Sequence, residues 1–285
     1  MNAEQSPPPA APASQSVAGA ALKFEKVGVT FRRQGKTTEA LQDFTMDVPA
    51  GQFLAVVGPS GCGKSTLINM VAGLLSPTTG TVQVDDKAVA PPGPDRIVVF
   101  QEGALFPWLD VRGNVEFGLR LAGVPKAERR HRAEEMLKLV QLEQFMHAQL
   151  HELSGGMKQR VALARALVLE PRVLLMDEPF AALDAQTRED LQSKLQDLWR
   201  IRGPTVLFIT HDVREAAFVA DRIAVISHRP GTLKGSVEVN APRPRTPDDA
   251  RVLQAAHEAK ALLADEMLWQ MQRAVPELPW GESWW

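Results

Sequence analysis

Two glycine-rich stretches of this chain are built to gather backbone amides around an anion. The first, "GPSGCGKST" at Gly58–Thr66, fits G-x-x-x-x-G-K-[ST] through Gly58, Gly63, Lys64 and Ser65. Pro59, Ser60, Gly61 and Cys62 fill the loop and Thr66 follows it, so consecutive N–H groups can converge on phosphates at a helix N-terminus. Lys64 is expected to reach the β- and γ-phosphates of a nucleoside triphosphate, and the Ser65 hydroxyl to ligate Mg2+. Cys62 is expected to matter through its backbone and not its thiol. The second stretch is "LSGGMKQRVALARAL", Leu153–Leu167. Ser154 before Gly155 and Gly156 makes a serine-capped helix start with exposed N–H groups, and Met157, Val161, Ala164 and Val168 fall on its apolar face. One phosphate cradle already serves one nucleotide. The second is therefore expected to close over the γ-phosphate held by another copy, two copies packing head to tail about a twofold axis.

Two carboxylates sit where such chemistry needs them. "RVLLMDEP" reads as a buried strand that ends in Asp177 and Glu178, at the tip where α/β sheets present their ligands. A carboxylate pair there can serve simply as a helix cap. With the phosphate loop in the same chain, Asp177 reads as a Mg2+ carboxylate and Glu178 as the group that polarises the attacking water. His211 follows the strand "TVLFIT", in reach of a γ-phosphate, and Gln101 follows "RIVVF", where its amide oxygen can join the Mg2+ shell.

The elements that must position these residues alternate. "LKFEKVGVTF" and "LQDFTMDV" read as antiparallel strands, and "FLAVV" runs straight into the first glycine loop. "KSTLINMVAGLL" is a helix stopped by "SPTTG", with "TVQV" and "RIVVF" as short strands after it. Between Val111 and Leu150 no strand pattern occurs, and "RRHRAEEMLKLVQL" is strongly helical. "RVLLMD", "TVLFIT" and "RIAVIS" then return as strands separated by helices. The expected fold is α/β: a P-loop core with an antiparallel β subdomain and a helical insertion subdomain. The expected divisions are a disordered Pro/Ala/Ser-rich tail over 1–20, an ATPase domain over 21–240 with its insertion at about 105–165, and a C-terminal part over 241–285. That last part reads as a proline-rich linker, a helix over Asp248–Ala274 and a tryptophan-rich end, "LPWGESWW".

Composition removes other classes. A net charge of −2 gives no basic field, so nucleic acid is not a favoured partner, and "KAERRHR" at Lys126–Arg132, interleaved with glutamates, reads as a solvated helix face. The single cysteine excludes an internal disulfide and a Cys-cluster metal site. No apolar run approaches the ~18 residues that span a bilayer, and the first residues lack the pattern of a secretory signal.

Taken in order, the phosphate loop, Gln101, "LSGGM", "LLMDEP", "AALD" at Ala181–Asp184 and His211 closely resemble the ATP-binding cassette (ABC) ATPases, over roughly Leu22–Val239. The resemblance implies ATP and Mg2+ as cofactors, "LSGGM" as the family's signature, and Asp184 in the loop that communicates between two sites of a dimer. It also implies an aromatic stacked on adenine near the end of the first strand. Phe31 takes that place in a chain without tyrosine, against the competing reading of an ordinary core residue. Met157 stands where the family commonly has glutamine. "PPGPDRIVVFQEGALFPWLDVRGNVEFGL", "DEPFAALDAQTR" and "SHRPG" further resemble the ATPase subunits of nitrate, sulfonate and taurine importers. That implies transmembrane permease partners, a periplasmic solute-binding protein acting indirectly, and a peripheral place on the cytoplasmic face of a bacterial inner membrane. In the family, the region holding Leu105, Phe106, Trp108 and Leu109 receives a coupling helix of the permease. The alternative is a soluble ABC ATPase of repair or translation. The short span between Lys64 and Ser154, without sustained heptads, and the single cassette argue against it.

Overall fold

The computed structural model describes residues 19–33, 35–101 and 104–274. Two sheets organise them. Strands β1 (Leu22–Arg33), β2 (Lys36–Val48), β4 (Thr79–Val84) and β5 (Lys87–Ala88) form an antiparallel sheet in the order β2-β1-β4-β5. The second sheet holds β3 (Phe53–Val57), β6 (Arg96–Val99), β7 (Val173–Asp177), β8 (Thr205–Thr210), β9 (Arg222–Ile226) and β10 (Leu233–Glu238). Its order is β10-β9-β3-β8-β7-β6, parallel except for the antiparallel edge strand β10. "TVQV" thus joins the antiparallel sheet, whereas "RIVV" forms the far edge of the parallel one.

The central strands read as unbroken apolar runs because both faces are buried. Phe53, Ala55 and Val57 of β3 enter one core, while Leu54 and Val56 enter the other. β8 divides in the same way, Val206 and Phe208 against Leu207 and Ile209. One core lies between the parallel sheet and the antiparallel sheet, with helix α1 (Lys64–Val71) in it. The other lies under α2 (Val111–Leu121), α3 (Lys126–Leu139), α4 (Gly155–Leu167), α5 (Ala185–Arg202), α6 (Val213–Val219) and α7 (Ala250–Ala274).

No strand occurs between α2 and α4, as the sequence pattern predicts; two 3₁₀ turns, Glu143–Phe145 and Leu150–Glu152, complete that insertion. The basic run on α3 is neutralised by its neighbours: Arg129 pairs with Glu116, Arg130 with Glu134 and Arg132 with Glu170. These three arginines are thus held in pairs with glutamates of α2, of α3 itself and of the turn after α4.

At the C-terminal side, the expected linker packs onto the ATPase domain. Ala241, Val252, Ala255, Ala256 and Ala259 are buried in the same core as α6. Arg245 donates to the carbonyls of Phe218 and Ala220, which end α6, and its burial pushes the guanidinium pKa down to about 10. At the other boundary, Gly19 N–H donates to the Gly203 carbonyl at 3.1 Å and Ala20 is buried, so these two residues of the expected tail pack onto the domain. The rest of that tail, residues 1–18, and the end that carries Trp280, Trp284 and Trp285 lie outside the described residues. Among the described residues no helix is long and apolar enough to cross a membrane.

Candidate functional site

Four adjacent strands deliver the site. Reading across the sheet, the C-terminal tip of β3 leads into the glycine loop, β8 ends beside His211, β7 ends in Asp177 before Glu178, and β6 leads to Gln101. Such tips beside a helix N-terminus are where open α/β sheets bind ligands. Here they line one cavity of about 570 Å³ that contains Ser60, Gly61, Gly63, Lys64, Ser65, Thr66, Gln101, Asp177, Glu178 and His211.

The loop is shaped by its glycines. Gly63 caps α1 at φ 102°, and a Cβ on it would lie 2.7 Å from Leu41 Cδ2 and 2.9 Å from the Ala40 carbonyl oxygen. Only glycine combines that backbone with that approach. The Lys64 ammonium is buried over the loop and donates to the Gly58 and Pro59 carbonyls, both at 2.8 Å. These bonds hold the cation at the phosphate cradle. Cys62 is buried, and desolvation pushes its thiol up, which makes it unreactive, in keeping with a backbone role.

Asp177 and Glu178 occupy different environments. Burial pushes the Asp177 carboxyl up, while a hydrogen bond with Ser65 and the Lys64 charge act in the other direction. The Ser65 hydroxyl, the Asp177 carboxyl and the Gln101 amide, set against a phosphate cradle, form the oxygen donor set that suits Mg2+ held mainly by nucleotide phosphates. Glu178 adopts φ +47°, a left-handed conformation that non-glycine residues rarely take. Its N–H donates to the Ile209 carbonyl at 3.0 Å, which holds that turn against β8. Strain of this kind, of order 1 kcal/mol, persists where surrounding structure imposes it and concentrates at functional sites. The Glu178 carboxylate lies 3.2 Å from His211 Nδ1, with side-chain exposures of 22% and 65% respectively. The pair is therefore open to a ligand in the cavity.

Phe31 is 44% exposed and lines the cavity with Thr38 and Ala40, which argues against the core reading. A ring so placed offers a face to a base. Phe31→Ala should weaken ATP binding by about 1 kcal/mol, some five-fold, with little change in melting temperature. Titration with a fluorescent ATP analogue checks this; a large drop in melting temperature at unchanged affinity would return Phe31 to the core.

Ser154, Gly155, Gly156 and Asp184 do not line this cavity. They form a second surface. Ser154 caps α4, its Oγ accepting from Met157 N–H at 3.2 Å, and a Cβ on Gly155 would meet open space. A Cβ on Gly156 would lie 3.2 Å from Leu183 Cδ2 and 3.3 Å from the Ala182 carbonyl oxygen, so this turn packs on the "AALD" turn. Asp184 caps α5 through the Thr187 N–H, and that bond, with the charge of Arg160 on α4, holds its carboxyl low. Val161, Ala164 and Val168 are buried as expected, while Met157 is half-buried at the edge of the core.

The sequence reading missed Arg229. Its guanidinium donates from Nε and an Nη to the Gly61 carbonyl, at 3.0 and 2.8 Å, and lines the same cavity. Gly231 brings the β9–β10 loop there: a Cβ on it would lie 2.1 Å from the Cys62 carbonyl oxygen. "SHRPG" carries no phosphate signal of its own, since the contact exists only once β9 pairs with β3.

Glycine cradle, buried lysine, strand-tip carboxylate and parallel sheet define a P-loop nucleoside triphosphatase. The family model for ABC transporters matches residues 41–181. An uncharacterized ABC transporter ATP-binding protein of Methanocaldococcus jannaschii is 47% identical over 247 residues, covering 87% of this chain and 92% of that protein. The nitrate import ATP-binding protein NrtD of Synechocystis is 51% identical over 203 residues, 71% of this chain and 76% of its own length. The taurine import ATP-binding protein TauB of Yersinia pestis is 48% identical over 213 residues, 75% and 83% of the two chains. Among solved structures, the dimeric post-hydrolysis state of the ATP-binding cassette MJ0796 with ADP and Pi aligns at TM-score 0.70 and 33% identity, covering 78% of this chain and all of that one. The chain belongs to the ABC transporter ATP-binding proteins, ATPases that bind ATP and couple its hydrolysis to transport.

Proposed function

We propose that this chain is the ATP-hydrolysing subunit of an importer for a small anion of the nitrate, sulfonate or taurine class. The reading rests on one observation above others. A single cavity gathers the phosphate loop, Gln101, Asp177, Glu178 and His211, while the "LSGG" helix start lies outside it. In this reading the amides of Gly58–Thr66 and the Lys64 ammonium hold the ATP phosphates, and Phe31 stacks on the base. Ser65, Gln101 and Asp177 hold Mg2+, which supplies charge neutralisation on the phosphate oxygens. Glu178 polarises the attacking water and His211 donates to the γ-phosphate. A second copy, head to tail, lays its Ser154, Gly155 and Gly156 over that phosphate, and Asp184 communicates between the two sites. Permease subunits hold the dimer at the cytoplasmic face of the membrane, and a periplasmic binding protein acts through them.

The permease surface is proposed around Trp108. Asn114 is fully buried and fixes this segment: its Oδ1 accepts from Phe106 N–H, and its Nδ2 donates to the Phe106, Leu109 and Asp110 carbonyls. Phe106 stacks near Phe117 and Trp108, with centroids 4.3 and 5.5 Å away, while Trp108 stays 72% exposed. Leu105 packs against the core, so the aromatic step beyond it is what remains for a partner. Gly103, at the start of this segment, lies outside the described residues.

The test is to purify the chain with its permease and binding protein in nanodiscs and measure ATP turnover with nitrate, taurine or an alkyl sulfonate. One of these should stimulate turnover several-fold. Trp108→Ala should abolish the stimulation while the isolated subunit keeps its ATP affinity. Turnover indifferent to permease and to all three anions would remove the importer reading.

A further inference from the structure

Behind His211 lies a polar chain, buried at both ends and half-buried at Glu215, that the proposed roles leave unused. Thr210, the last residue of β8, is 2% exposed. Its Oγ1 accepts from Asp212 N–H at 3.1 Å and donates in a short hydrogen bond to Glu215 Oε2. The other carboxylate oxygen of Glu215 accepts from Gln192 Nε2 at 2.8 Å, and Gln192 on α5 is 5% exposed. Asp212 Oδ1 in turn accepts from the N–H groups of Arg214 and Glu215. One turn before Gln192 on the same face of α5, Arg188 donates to the Phe180 and Leu183 carbonyls of the turn that runs from Glu178 to Asp184. A cavity of only about 80 Å³ separates the two turns.

Burial holds the Glu215 carboxyl above the usual range, opposed by its Thr210 and Gln192 bonds and by the Arg188 charge. Burying a carboxyl costs free energy, and a satisfied buried network returns that cost as rigidity of the groups it joins. The group joined here is the three-residue turn at whose centre His211 stands.

We propose that Glu215 and Gln192 are positioning residues for His211: through the Thr210 hydroxyl they hold the Thr210–Asp212 turn in register with α5, the helix that Asp184 begins. The imidazole is thereby set against Glu178 by a polar chain reaching the same helix that holds the Glu178–Asp184 turn. The inference rests on the proposed role of His211.

Steady-state ATP hydrolysis by the full chain tests it. Thr210→Val keeps the shape of the side chain and removes the hydroxyl. It should lower kcat about ten-fold, the fold-change of one buried hydrogen bond, with KM for ATP within about two-fold of wild type. Thr210→Ser should restore kcat. Glu215→Gln should stay within about three-fold of wild type, because its amide still accepts from Thr210 and the Gln192 amide can turn to meet it. Glu215→Leu should behave like Thr210→Val. A merely structural role predicts a lower melting temperature with kcat intact below it, and kcat within two-fold of wild type in Thr210→Val overturns the proposal. So does a loss that Thr210→Ser fails to restore. His211→Ala, measured in parallel, separates the layers: wild-type turnover there removes the role of His211 and this one with it. Loss in His211→Ala beside full turnover in Thr210→Val removes the positioning role alone.

Discussion

Glu178→Gln will bind Mg·ATP with near wild-type affinity and hydrolyse it about 10²–10⁴-fold more slowly, the range for loss of a positioned general base. The substitution keeps size and leaves the phosphate-binding groups untouched, because Lys64 donates its hydrogen bonds to carbonyls of its own loop and Asp177 bonds Ser65. Binding energy and turnover therefore separate. The uncleaved nucleotide should also hold two copies together, so size-exclusion chromatography in Mg·ATP should show a dimer that ADP dissolves. Turnover near wild type would remove Glu178 from its role, and a monomer at saturating Mg·ATP would count against closure by a second copy.

Ser154→Arg is expected to be as severe by a different route. Ser154 lies outside the cavity, at an exposed helix start, so the monomer should bind ATP normally. In the proposed dimer an arginine there puts bulk where a partner's γ-phosphate would approach, and hydrolysis should fall by two orders of magnitude or more, the scale of losing an oxyanion-type donor set. Lys64→Ala should fail too, through lost nucleotide binding. Mixing the two inactive variants should recover part of the activity, because in a mixed dimer one site combines an intact phosphate loop with an intact "LSGG" turn. No recovery from the mixture, or loss of ATP binding by the Ser154→Arg monomer, would place the second cradle in the same site as the first.

The site was legible in proportion to how local its signals are. The phosphate loop is a contiguous turn, so Gly58, Gly63, Lys64 and Ser65 carry their geometry in their spacing. Asp177, Glu178 and His211 could be placed at one sheet edge because each ends or follows an apolar strand, and a parallel sheet sends all such tips to one edge. What spacing cannot supply is strand order. That β8 separates β3 from β7, and so sets His211 beside Glu178, follows from pairing between segments far apart in sequence. Arg229 was missed for the same reason, since its partner Gly61 lies on another element. Glu215 and Gln192 resemble surface residues in a helix pattern, and only tertiary packing of α5 against α6 buries Gln192, half-buries Glu215 and joins the two. The linker reading of "APRPRTP" failed to anticipate that two arginines within it cap and flank α6: Arg245 donates to its last carbonyls, and Arg243 pairs with Asp221 at 2.7 Å. Proline-rich composition predicts the absence of helix, which is correct there, but says nothing about packing.

Dependence on a second copy can be read directly from kinetics. With saturating Mg·ATP and the wild-type chain alone, the hydrolysis rate per subunit should rise with subunit concentration at low concentration, because each site is completed by association, and level off once dimers dominate. Total rate then climbs as the square of concentration before becoming linear. A rate per subunit that is constant down to concentrations where only monomer is present by light scattering would contradict the composite site, and would require the "LSGG" turn to act within one chain or not at all.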